Sequence, residues 1–238
     1  MKNKYQFKTP KRKQPLWKIV KAILSVFLFK KIKVINLAGN IPNKCIFIGN
    51  HAGKNGPVAY DKYLPVFHAK WGMYLMLGSF SERFHYLRDV LYIQKYGKSK
   101  FTATIKAGFE ALFSKFIYKG LKIIPSFLDA RVAKTFSYSA EVLDSDMAVM
   151  VYPEDSNSGY HAEPIKFFSG FVGLSEYYYK KRGEDLPIYP TYLHLENRKL
   201  IIGKPISINE LKQQGLSRDE IAEKFRLEVV NLYKNYVK

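Results

Sequence analysis

The chain has one cysteine, no acidic residue before position 61, and no apolar run long enough to cross a bilayer. The lone thiol, Cys45, excludes an intrachain disulfide framework and fits a reducing cytosol. Within Lys44-Cys45-Ile46-Phe47-Ile48 it reads as a buried strand residue. The most apolar stretch runs from Trp17 to Phe29. As a helix it would span roughly 20 Å, against a hydrocarbon core of about 30 Å, so a spanning helix is not expected. Lysines flank both of its ends and no small-residue cleavage site follows, which argues against a signal peptide. His51, His68, His85, His161 and His194 are scattered without ligand spacing, so no metal site is expected.

The missing acids matter most. The whole chain carries 39 basic and 20 acidic residues, and residues 1–60 hold 13 of the basic and none of the acidic ones. The other 178 residues therefore keep 26 basic and 20 acidic residues, a net of only +6 out of +19. A polyanion is expected to be met from the N-terminal end, either an anionic bilayer or a nucleic acid. Residues 2–13, with Lys2, Lys4, Lys8, Lys11, Arg12 and Lys13, read as a flexible basic arm interrupted by Pro10. The helix that follows places Lys18, Lys21 and Ser25 on one side and a broad apolar surface opposite, with Trp17 at the boundary. This layout suits a helix lying in a membrane interface, and it makes Trp17, Lys18, Lys21, Phe27, Phe29, Lys30 and Lys31 candidate membrane contacts. No zinc-finger spacing or RNA-binding signature accompanies the charge, so nucleic acid is the weaker alternative.

At 238 residues the chain suits a basic arm and interface helix over 1–35 followed by one domain over 36–238. Apolar β-rich runs alternate with helical stretches and no repeat is visible, which predicts an α/β fold. Strands are expected at Lys44–Gly49, Leu121–Pro125, Met147–Tyr152, Pro187–Leu193 and Leu200–Ile202. Helices are expected at Pro57–Phe67, Phe101–Phe116, Ser137–Leu143, Phe171–Arg182 and Ser217–Tyr236, the last opening on a Ser217…Glu220 capping box.

Two clusters carry chemistry. Asn50-His51-Ala52-Gly53-Lys54-Asn55-Gly56-Pro57 follows one apolar strand, and Tyr152-Pro153-Glu154-Asp155-Ser156-Asn157-Ser158 follows another. If those strands lie parallel in one sheet, both clusters emerge at the same edge, where α/β proteins bind ligands. A histidine there can act as a general base opposite a polar receptor.

Taken in order, these residues resemble the 1-acylglycerol-3-phosphate acyltransferase family. Asn50-His51 matches the start of its Asn-His-x4-Asp motif, and Tyr152–Ser158 is similar to its Phe-Pro-Glu-Gly-x-Arg-Ser block. Phe167-Phe168-Ser169-Gly170 looks like its apolar-Gly segment, and Pro187-Ile188-Tyr189-Pro190 like its Pro-Ile-x-Pro strand. The resemblance implies a largely parallel mixed sheet flanked by helices. It also implies transfer of a fatty acyl group from acyl-CoA or acyl-carrier protein to a lysophospholipid hydroxyl, with His51 as base and no cofactor. The implied place is the cytoplasmic face of the cell membrane, peripherally bound. Asn50, Lys54, Arg131, Glu154, Asp155, Ser156, Asn157 and Lys166 become candidate substrate contacts. Two departures stand out. Gly56 replaces the motif aspartate that would orient the imidazole, so that role falls to Asp61, to Asn55, to a residue distant in sequence or to no partner at all, with Asp61 preferred. Asn157 replaces an arginine associated with the acceptor phosphate, and an amide cannot replace a guanidinium. A non-catalytic lipid-binding relative is the alternative reading.

Overall fold

A computed structural model describes residues 7–238; Lys2 and Lys4 of the basic arm lie outside the described residues. The helices are α1 (Pro15–Leu28), α2 (Gly56–Tyr63), α3 (Phe80–His85), α4 (Lys100–Gly120), α5 (Val132–Asp144), α6 (Gly170–Arg182), α7 (Ile208–Gln213) and α8 (Arg218–Tyr236). The strands are β1 (Lys33–Asn36), β2 (Ile46–Gly49), β3 (His68–Met73), β4 (Ile123–Ser126), β5 (Ala148–Val151), β6 (Ile188–His194) and β7 (Lys199–Ile202). They form one sheet in the order β1-β7-β6-β2-β5-β3-β4. Among the described strands only the β6–β7 pair is antiparallel, so β1 and β7 run opposite to the other five. The expected α/β fold with a mixed, largely parallel sheet is what the chain adopts.

The middle of that sheet explains the apolar runs. Helices cover both faces, so a central strand must be apolar on each side. Along β2, Ile46 and Ile48 enter one core with Phe171 of α6 and Phe225 of α8, while Phe47 enters another with Ala59 and Tyr60 of α2. All four residues of β2 are buried, as is Cys45 just before it. The α8 capping box forms as expected between Ser217 and Glu220.

Two strands escape the sequence reading, β1 and β3. Strand β1 pairs with β7 from Lys33↔Lys199 to Asn36↔Ile202, so the expected boundary after residue 35 falls inside a strand of the main sheet. The N-terminal segment is also bound to the domain. Phe7 lies 5.3 Å from the Tyr138 ring, and Arg12 pairs with Asp146. These contacts correct the expectation of a flexible arm for residues 7–13.

Helix α1 docks with the face that was expected to meet lipid headgroups. Trp17 is 5% exposed and its Nε1–H donates to Asp61 Oδ2 at 2.9 Å. Lys21 reaches the same oxygen at 2.8 Å, and Lys62 donates to Ser25 Oγ at 2.6 Å. Spaced by four, these side chains form one stripe turned toward the protein. Trp17 and Lys21 are therefore structural anchors rather than membrane contacts. Phe29 is half-buried beside Tyr63, whereas Lys18, Phe27, Lys30 and Lys31 are exposed.

Candidate active site

Strands β2 and β5 are adjacent and parallel, with Ile48 opposite Val151. The chain therefore leaves both at the same sheet edge, and His51 and Glu154 meet there. Glu154 Oε2 accepts the backbone N–H of His51 at 3.0 Å, which ties the first turn after β2 to the turn after β5. Glu154 is buried, and that burial raises its carboxyl pKa. Its Oε1 has no hydrogen-bond partner among the described residues.

The loop after His51 turns through two left-handed residues, Ala52 (φ 51°) and Gly53 (φ 68°). That turn brings the Gly53 carbonyl to 2.7 Å from His51 Nδ1. A carbonyl only accepts, so Nδ1 carries the proton and Nε2 keeps its lone pair. The ring packs between Tyr152 and Tyr160, with centroids 4.9 and 5.0 Å away. Burial pushes His51 down to about 4, the Gly53 carbonyl partly offsets this, and Lys95 lowers it further. The imidazole is neutral at neutral pH, as a general base must be.

Two cavities meet at this ring. One, of about 130 Å³, is lined by His51 with Met73, Leu91, Ile117, Leu121 and Ile123. The other, of about 170 Å³, is lined by His51 with Lys95, Glu154, Ser156 and Tyr160. Trp71, Gly72, Met73, Tyr86, Tyr152 and Tyr160 border both. His51 thus stands between an apolar chamber and a polar one, which together reach the low end of the roughly 300–1,000 Å³ of small-molecule sites. Larger clefts of about 540 and 680 Å³ lie elsewhere, and His51 lines neither.

The structure separates the expected site residues. Lys54, Glu154 and Ser156 line the cavities. Lys54 is held by Glu110 Oε1 at 2.5 Å and Tyr92 Oη at 3.2 Å. Asn50 is a structural clamp: its amide exchanges hydrogen bonds with the Leu193 backbone, 2.9 Å each, and Oδ1 also accepts from Tyr60 at 3.1 Å. Arg131 sits at the start of α5, paired with Asp129 and stacked over Tyr74 and Phe127, away from both cavities. Asp155 accepts the Asn157 backbone N–H at 3.1 Å in a turn, and Lys166 lies over the Phe168 ring; none of these three lines either cavity.

Neither expected partner reaches the imidazole. Asn55 precedes α2 and its side chain makes no capping bond, while the Nδ1 position is already taken by Gly53. Asp61 lies at the opposite edge of the sheet, beside the start of β3. Its Oδ1 accepts from Lys70 at 2.7 Å and Lys122 at 2.5 Å, and its Oδ2 from Trp17 and Lys21. Burial pushes this carboxyl up, but Lys70, Lys122, His68 and Lys21 outweigh it and hold Asp61 well below the usual range. Asp61 is the counter-ion of a buried lysine cluster.

Sequence reasoning also missed Lys95. It closes a π-helical stretch, Tyr86–Lys95, whose wide turns are a frequent mark of functional sites. Its Nζ donates to Ser156 Oγ at 2.5 Å and lies 5.4 Å from the Tyr160 ring centre. Burial lowers its pKa, partly offset by Glu154 and Asp155. A lysine in an aromatic-rich segment carries no sequence signal until the fold brings it to the second cavity.

Among the described residues no group of three or more His, Cys, Asp or Glu side chains is placed to hold a metal ion. No protein-family model matches this sequence, and no curated protein is significantly similar to it.

Proposed function

We propose that the protein is a peripheral membrane acyltransferase that moves a fatty acyl group from an acyl thioester to a lipid hydroxyl, with His51 as general base. The observation that carries this reading is the fixed tautomer of His51 at the junction of an apolar and a polar cavity. The acyl chain enters beside Ile117 and Leu121, and the acceptor head group lies near Lys95 and Ser156. Nε2 takes the hydroxyl proton as that oxygen attacks the thioester carbonyl. The C–S bond then breaks, and the leaving thiolate recovers the proton from the imidazolium. The products are an ester and a free thiol, with no acyl-enzyme required.

Glu154 is a positioning residue here: it holds the His51 backbone rather than the ring. Lys95 supplies positive charge for an anionic head group, in place of the arginine that Asn157 replaces, while Lys54 is already paired with Glu110. The donor is acyl-CoA or acyl-carrier protein, and the reading places the protein on the cytoplasmic face of the cell membrane. No helix of the described residues is long and apolar enough to cross a membrane.

The missing carboxylate at Nδ1 favours one competitor, a lipid-binding relative without turnover. Incubating the purified protein with acyl-CoA or acyl-carrier protein and a panel of lysolipids, with mass-spectrometric detection of ester, separates the two. The expected result is ester formation that His51→Ala abolishes. Product unchanged by His51→Ala overturns the mechanism, and no product with any pair favours the competitor.

A further inference from the structure

Helix α4 is turned inside out. The residues it buries are small, Ala103, Ala107, Ala111 and Ser114, at helical spacing against α3 and the π-helical stretch. Its large apolar side chains point outward: Phe101 is 77% and Phe109 68% exposed, with Ile105, Leu112, Phe113 and Phe116 also exposed. Ordinary surface helices do the reverse. Such a continuous stripe of large apolar groups exceeds the scattered exposure normal for a soluble surface.

Helix α1 repeats the inversion beside it. Its polar stripe faces the protein, while Leu16, Ile19, Ile23, Val26 and Phe27 face outward, Phe27 at 82% exposure. The two helices touch through Trp17, whose ring lies 6.4 Å from Phe116 and fills the space above Gly120. A methyl group on Gly120 would sit 2.3 Å from that ring, so the close approach needs glycine there.

Charge identifies what covers this face. Glu110 is the only acidic residue on either helix, and Lys54 neutralises it. Lys18, Lys106, Lys115 and Lys119 are exposed on the same two helices, and Lys30 and Lys31 follow α1. An apolar face fringed by lysines and without free acid complements an anionic bilayer.

We propose that the outward faces of α1 and α4 together form a surface that inserts into the interface of an anionic membrane, with the phenylalanines of α4 as its principal contact. Ile117 of α4 also lines the apolar cavity at His51. Docking therefore sets that cavity against the lipid from which an acyl chain would come. This delivery consequence rests on the acyl-transfer reading, but the docking does not.

Vesicle flotation of the full chain tests it, using phosphatidylcholine alone and phosphatidylcholine mixed with phosphatidylglycerol. The doubly substituted Phe109→Ser, Phe113→Ser protein is compared with Leu227→Ser, an apolar-to-serine change at an exposed position of α8. Circular dichroism confirms that each variant is folded. The expected result is flotation with the anionic vesicles, lowered about a hundredfold by the paired α4 change and unaffected by Leu227→Ser. Unchanged flotation of the paired variant overturns the proposal, and equal binding to both vesicle types overturns its anionic partner. A wild-type dimer dispersed by the α4 change, without flotation, would assign the face to a second copy. Binding to RNA without flotation would likewise overturn it. Flotation without acyl transfer sinks the catalytic reading and leaves the surface intact.

Discussion

A side chain at position 56 would put its Cβ 1.9 Å from the carbonyl oxygen of His51. The α2 N-terminus packs directly against the backbone of the base, so the place where a motif aspartate is expected has no room for any side chain. Gly56→Asp is therefore expected to destabilise the protein by about 1–3 kcal/mol or more and to leave any acyl transfer no faster. Denaturant unfolding and initial rates check both. A more active Gly56→Asp protein would show that the loop can open to admit the carboxylate.

The pH dependence follows from His51. Its pKa is lowered from 6.5 to about 4. The base form is then present throughout neutral pH, and the acid limb of kcat/KM is expected near 4 rather than 6.5. Between those values the unfolded chain binds the proton more readily than the folded one. The group's contribution to stability is thus complete above 6.5 and lost as pH falls toward 4. A pH–rate profile with its acid limb at 6.5 would contradict the buried, tautomer-fixed imidazole.

Lys95 separates head-group binding from chemistry. Removing a charge-assisted contact typically costs about 1.5–3 kcal/mol. Lys95→Ala should therefore raise KM for a phosphate-bearing acceptor by roughly tenfold or more, while an uncharged acceptor is little affected. Lys95→Arg should recover part of the loss. Equal effects on both acceptors would remove Lys95 from the head-group role.

Asp61→Ala leaves Lys70 and Lys122 buried without their counter-ion. Removal of one partner from a buried ion cluster costs about 3–5 kcal/mol, and a shift of that order is expected in urea denaturation. Activity of the molecules that stay folded should be kept, because Asp61 touches neither cavity at His51. Loss of activity with unchanged stability would return Asp61 to the catalytic role that the sequence suggests.

The central strands were legible because burial on both faces leaves an uninterrupted apolar run, as in Ile46–Gly49 and Ala148–Val151. Strand β3 was not, since His68-Ala69-Lys70-Trp71-Gly72 reads as polar. Lys70 is tolerated in the core only because Asp61, on the preceding helix, neutralises it. Both His51 and Glu154 were legible from their places after strands, but the partner of the imidazole was not. It is a backbone carbonyl, and a carbonyl has no residue type to read. The two inverted helices show a related limit. Periodicity reveals that a helix has two unlike faces, but which one turns inward depends on neighbours far along the chain: Asp61 and Lys62 for α1, the π-helical stretch for α4.

The pairing of β1 with β7 sets an order of assembly on the ribosome. Asn36 finds its neighbour at Ile202, so this strand waits for 166 further residues to be made, about 8–33 s at ordinary elongation rates. The seat of α1, built from Asp61 and Gly120, emerges well before that. The helix can therefore settle first, and the last parallel pairing in the sheet to become available is the one that joins β1 to β7.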